Sequence, residues 1–202
     1  AHDLKRATPM QRLLQGDVGS GKTIIAALAA LQAIESGKQV AFMAPTELLA
    51  EQHYRKLAIW LDGLVEITWL SGSLPAKARK KALEALAGGA APFAVGTHAL
   101  FQEGVELPNL GLAIVDEQHR FGVLQRAALQ RRGAQPEAVD VLVMSATPIP
   151  RTLALTLYGD LAVSTLDELP PGRTPIATMV CRESRRDRLV ERPGAGGAAG
   201  RQ

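Results

Sequence analysis

Short apolar runs that break off in small polar clusters alternate along this chain with longer segments whose apolar residues recur at helical spacing. The runs at residues 10–15, 39–43, 65–70, 93–96, 110–115 and 139–144 read as strands, with two more near 161–166 and 176–180. Between them, 24–35 (IIAALAALQAIE), 48–61, 75–86, about 122–132 and about 151–158 read as helices. Most of the strand runs lack polar alternation, and LGLAIV at 110–115 is apolar throughout. Such strands are buried on both faces, as in a parallel sheet covered by helices on each side. Strands and helices in alternation with short connections predict a doubly wound, mostly parallel α/β domain. In that architecture ligands gather beyond the carboxyl ends of the strands. The polar clusters starting at Gly16, Thr46, Ser71, Thr97, Asp116 and Ser145 each follow a predicted strand, so all are expected along one edge of one sheet. There is no internal repeat, and the Gly/Ala/Pro-rich stretch 192–200 has nothing to bury and is expected to be disordered.

Composition adds limits rather than identity. With 202 residues, 47% of them hydrophobic, the chain suffices for one sizeable domain. No apolar run approaches the roughly 18 residues that span a bilayer, so no membrane partner is expected. The amino end lacks the plan of a secretory signal, and a single cysteine, Cys181, cannot form an internal disulfide, which fits a reducing cytoplasm. A net charge of +3 is too modest to name a partner. Local basic runs, Lys77 with Arg79, Lys80 and Lys81, and Arg182 with Arg185, Arg186 and Arg188, keep nucleic acid in view, although such runs are more often solvated faces.

The chemistry begins at Gly16-Asp17-Val18-Gly19-Ser20-Gly21-Lys22-Thr23, which fits G-x-x-x-x-G-K-[ST] without a gap and stands between a predicted strand and a predicted helix. In that context the glycines turn backbone N–H groups toward phosphate oxygens and the helix start adds positive potential. Lys22 is then expected on the β- and γ-phosphates of ATP and the Thr23 hydroxyl on Mg2+. Asp116 is the expected second holder of Mg2+, with Glu117 polarising the attacking water. An Asp-Glu pair after a strand is also an ordinary helix start, and the phosphate loop is what favours the catalytic reading. His119 is either a buried structural histidine or a contact to Ser145–Pro148, whose Thr147 could equally be a helix cap. For nucleic acid, the polar turns at Thr46 and Glu47, at Ser71 and Gly72 with Ser73, and at Thr97 and His98 are the better candidates, since backbone amides there can hold phosphates without reading bases. His2 and His53 carry no ligand expectation.

Taken together, GDVGSGKT (16–23), MAPTELLAEQH (43–53), VGTHALFQ (95–102), DEQHRFGV (116–123) and MSATPIPRTLALTLYGDL (144–161) resemble successive motifs of superfamily 2 helicases, and within them the RecG-type DNA helicases, over about residues 13–188. DELPPGRTP (167–175) resembles the segment that leaves the first motor lobe of that type. Transcription-repair coupling translocases, the nearest alternative, have an aromatic residue at the place of Ser20 and Glu at that of Gln118. The resemblance implies a RecA-like P-loop NTPase fold, ATP hydrolysis with Mg2+, and movement along double-stranded and branched DNA, remodelling stalled forks and Holliday junctions. It implies phosphate binding by Gly19 through Lys22, magnesium at Thr23 and Asp116, water activation by Glu117, and coupling to DNA through His119, Ser145 and Thr147. It also implies that a wedge domain, an adenine-recognising segment and a second motor lobe carrying an arginine finger lie outside this chain. Residues 1–190 are thus expected to form the first motor lobe and 191–202 a tail. A P-loop kinase or other metabolic nucleotide enzyme, against which DEQH and SATP argue, and a non-catalytic DNA-binding or protein-interaction module, which would bind branched DNA equally with and without nucleotide, are the rival classes.

Overall fold

The apolar runs pair edge to edge because their backbone groups have no water to turn to once both faces are covered. The computed structural model describes residues 3–6, 8–116, 139–147 and 161–167, all within the unit Ala1–Leu169. In chain order the elements are β1 (Gln11–Gly16), α1 (Lys22–Glu35), β2 (Gln39–Met43), α2 (Glu47–Trp60), β3 (Ile67–Leu70), α3 (Ala76–Ala87), β4 (Phe93–Gly96), β5 (Leu110–Val115), β6 (Asp140–Ser145) and β7 (Ala162–Leu166). They build one seven-stranded sheet in the order β3-β4-β2-β5-β6-β1-β7. Every pairing is parallel. All strands therefore end at the same edge.

Side-chain alternation divides the core into two faces. Val40, Phe42, Phe93, Val95, Leu112 and Ile114 pack with Ala26, Ala27, Ala30 and Ala33 of α1 and Leu57 of α2. Alanine at four buried positions lets α1 lie close against the strands. On the opposite face Ala41, Met43, Ala94, Ala113 and Val115 pack with Leu86 of α3 and with Leu100. The strands β2, β4 and β5 are thus dry on both sides, which is why their sequences show no polar alternation, while the edge strands β3 and β7 are only partly covered.

Boundaries move where hydrogen bonds overrule the apolar pattern. Helix α1 starts at Lys22 rather than Ile24, because the amides of Ile24 and Ile25 already bond the Gly21 carbonyl. Strand β3 loses Val65 and Glu66, since the amides of Leu64 and Val65 close a turn on the Leu61 carbonyl after α2. Pro75 caps α3 instead of joining it. A short 3-10 helix, His98–Phe101, replaces the loop expected after β4. The helices anticipated near 122–132 and 151–158, the strand near 176–180, the arginine cluster at 182–188 and the glycine-rich end lie outside the described residues.

Candidate nucleotide site

Beyond Gly16 the chain makes a tight loop in which the Ser20 amide bonds the Asp17 carbonyl at 3.1 Å and the Asp17 carboxylate accepts from the Val18 amide at 2.7 Å. Gly19 (φ 85°) and Gly21 (φ 93°) hold left-handed backbone that side chains disfavour. Because α1 opens at Lys22, the amides of Lys22 and Thr23 have no carbonyl one turn earlier to bond, and they meet the positive end of the helix. The Lys22 amine donates to the carbonyls of Gly16 (2.7 Å) and Asp17 (2.8 Å), so the cation is held over the loop. The Ser20 hydroxyl is buried without a partner among the described residues.

Asp116 stands one residue past β5, its amide bonded to the Met43 carbonyl at 2.9 Å. Its carboxylate oxygen Oδ2 lies 2.6 Å from Nε2 of His53, and the two side chains are 12% and 13% exposed. His53 belongs to α2, and its ring sits 4.7 Å from that of Phe42. A cavity of about 850 Å³ is lined by Gly19, Lys22, Thr23, His53 and Asp116, with Ala146 beyond β6 completing that wall. Between β1 and β5 lies a single strand, β6, so the loop and the carboxylate are roughly 10 Å apart across the sheet edge. The donor set facing the cavity, a threonine hydroxyl and a carboxylate, is one of hard oxygens. Among the described residues no group of three or more His, Cys, Asp or Glu side chains gathers into a metal cage. That combination fits Mg2+, which takes few protein ligands and completes its shell with phosphate oxygens and water.

The sheet order sorts residues that the chain interleaves. Gly16–Thr23, Asp116, and Ser145 with Thr147 follow the contiguous strands β1, β5 and β6. Thr46 and Glu47, Ser71 and Gly72, and Thr97 and His98 follow the contiguous strands β2, β3 and β4. Ser145 is buried and its hydroxyl donates to the Thr147 carbonyl at 3.0 Å. Thr46 caps α2, accepting from the Leu49 amide at 3.3 Å, and the Glu47 carboxylate accepts from the amide (3.2 Å) and hydroxyl (2.9 Å) of Ser73. Ser71 and Thr97 are buried and bond internally, Ser71 to the Ser73 hydroxyl and Thr97 to the Ala99 amide. Gly72 and His98 are exposed. Glu117 and His119 lie outside the described residues. In the basic run on α3, Arg79 bonds Gln102 at 3.4 Å and Lys80 pairs with Glu84 at 3.9 Å.

Sequence reading passed over His53. A usable signal was present: Leu49, Gln52, His53, Lys56 and Trp60 of α2 all line the cavity and recur at helical spacing.

A parallel sheet with a phosphate loop after one strand and an acidic residue two strands away defines a P-loop nucleoside triphosphatase of RecA-like fold. Residues 5–156 match the DEAD/DEAH box helicase family, and the chain belongs to that family. It is 56% identical to the ATP-dependent DNA helicase RecG of Pasteurella multocida (strain Pm70) over 192 residues, 94% of this chain and 28% of that protein. It is also 56% identical to the RecG of Acidithiobacillus ferridurans over 201 residues, 99% of this chain and 29% of that one. A solved structure of RecG bound to a three-way DNA junction matches with a TM-score of 0.76 at 45% identity, over 94% of this chain and 25% of that one. The chain thus spans under a third of the length of these relatives.

Proposed function

We propose that this chain is the first motor lobe of a RecG-type DNA helicase, binding and hydrolysing ATP to drive remodelling of branched DNA. The observation that carries this reading is the convergence of Lys22, Thr23 and Asp116 on one cavity, beside a separate row of polar turns after β2, β3 and β4. On this reading Gly16, Asp17, Gly19, Ser20, Gly21 and Lys22 hold the triphosphate. Thr23 and Asp116 hold Mg2+, which when bound offsets charge on the β- and γ-phosphate oxygens. Glu117 activates water, and His119, Ser145 and Thr147 couple the nucleotide to DNA. Thr46, Glu47, Ser71, Gly72, Thr97 and His98 form the DNA-facing row. Since the hydroxyls of Ser71 and Thr97 are occupied internally, these turns offer phosphates their backbone amides and exposed positions such as Gly72 and His98.

The lobe takes in about residues 1–190, with 191–202 a tail, and its partners are double-stranded and branched DNA together with a second motor lobe and a wedge domain of a longer cytoplasmic protein. Among the described residues no helix is long and apolar enough to cross a membrane.

Calorimetric titration with ATP tests the reading. Replacing Lys22 with alanine should abolish binding, and an unchanged affinity would overturn the assignment of the cavity. Glu117→Gln in the full-length protein should keep ATP binding and lose turnover, and hydrolysis near the original rate would remove Glu117 from its role.

A further inference from the structure

We infer that His53 is a positioning residue for Asp116, fixing one carboxylate oxygen so that the other is aimed at the nucleotide's Mg2+. The inference rests on the nucleotide reading above. An ionised carboxylate can only accept, so the proton in the 2.6 Å contact sits on Nε2 of His53 and takes up one lone pair of Oδ2 of Asp116. The partners are 63 residues apart in the chain and come from different elements, so the contact is a product of the fold rather than of local geometry.

Both ends of the contact are restrained. The His53 ring lies against Phe42, which is wholly buried between β2 and α2. The Asp116 backbone is tied to β2 through the Met43 carbonyl at 2.9 Å. Oδ1 of Asp116 has no protein partner among the described residues, while the side chain lines the cavity together with Lys22 and Thr23. A histidine serving only to fill space beside Phe42 has no reason to be histidine. Its Nδ1 is buried without a partner among the described residues, an unfavourable feature that an aliphatic side chain would avoid. What the imidazole supplies is the Nε2 donor. Partners that orient a metal-binding side chain in this way commonly change metal affinity by about 10- to 100-fold when removed.

The experiment measures affinity of the full-length protein for ADP by calorimetry, once in EDTA and once with MgCl2. His53→Leu keeps apolar packing on Phe42 and removes the donor, and His53→Gln restores an N–H donor. We expect His53→Leu to lose less ADP affinity in EDTA than in MgCl2, because Lys22 and the phosphate loop are unaltered although His53 also lines the cavity. The gain in affinity on adding MgCl2 should fall by about tenfold. His53→Gln should recover most of that gain. A full MgCl2 gain in His53→Leu overturns the inference. So does equal weakening in EDTA and MgCl2, which marks a purely structural role, and so does a glutamine variant no better than leucine. Failure of the unaltered protein to bind ADP under either condition would instead sink the nucleotide reading on which the inference stands.

Discussion

At the scale of single residues, the chain contrasts groups whose partners are neighbours with groups whose partners are distant. Asp140 belongs to the second kind. Burial raises its carboxyl above the ordinary value of 3.8, against the lowering effect of the Met10 amide that it accepts at 2.5 Å, and the nearby negative Asp3 raises it further. An acid whose folded-state pKa is raised holds its proton more tightly when folded. Its contribution to stability is therefore fully present below the unfolded value and is lost as pH rises through the folded one. At neutral pH the ionised group is a net cost. Asp140→Asn keeps an acceptor for the Met10 amide, so its melting temperature at about pH 7 should exceed that of the unaltered chain, with the difference shrinking toward about pH 4. Calorimetric melting across that range checks this, and a pH-independent difference would refute the burial account. Gly16 has one neighbour of each kind, Ser20 in the same loop and Leu166 on β7. A Cβ there would stand 2.5 Å from the Ser20 hydroxyl and 2.9 Å from Cβ of Leu166, so Gly16→Ala should distort the loop and weaken ATP binding by at least about tenfold, one decade being only about 1.4 kcal/mol. The same contrast explains what was legible. Lys22 announced its chemistry through seven adjacent residues. His53 did not, because its significance lies in Asp116, which only the pairing of β2 with β5 brings within reach.

At the scale of elements, the strand ends are joined by a row of backbone hydrogen bonds. Just past each strand, the amide of Thr97 reaches the Leu70 carbonyl (3.4 Å), that of Ala44 the Gly96 carbonyl (3.0 Å), and that of Asp116 the Met43 carbonyl (2.9 Å). The row runs from β3 through β4 and β2 to β5, linking the proposed DNA-facing turns to Asp116, the proposed metal carboxylate. Gly96 is its tightest point, since a Cβ at that position would run into the Leu70 carbonyl. Backbone cannot yield as a flexible side chain does. Gly96→Ala should therefore destabilise the fold by about 3 kcal/mol, the upper end of ordinary overpacking, as read by urea unfolding. Thr46→Ala, which removes the α2 cap, should cost about 1 kcal/mol in the same assay. The elements themselves were readable because burial on both faces strips polar residues from parallel strands. Their ends were less so. Val65 looks like strand by composition, yet its amide is committed to the turn that closes α2.

At the scale of the whole molecule, strand order turns an interleaved sequence into two adjacent half-edges, one for the nucleotide and one for the polar turns. No periodicity in the sequence encodes that order; it follows from β6 and β7 returning to flank β1 after the chain has placed β2 to β5 to one side of it. On the proposed reading the arrangement gives this lobe the groups that would hold a triphosphate and Mg2+. On the motor-lobe reading, the cation that neutralises charge as the γ-phosphate departs comes from the second lobe. An arginine in that role is worth roughly 10³ to 10⁵ in rate in related phosphoryl-transfer systems. The chain of 202 residues should accordingly bind ATP but hydrolyse it slowly, with no response to DNA. The full-length protein should hydrolyse ATP faster by several orders of magnitude, and more on forked or four-way DNA than on linear duplex. Steady-state ATPase assays of both proteins on the same set of DNAs make the comparison. Binding without turnover in the short chain alone would locate the missing group in the remainder of the protein. Vigorous, DNA-stimulated turnover by the short chain would mean that everything needed to respond to DNA already sits along this one sheet edge.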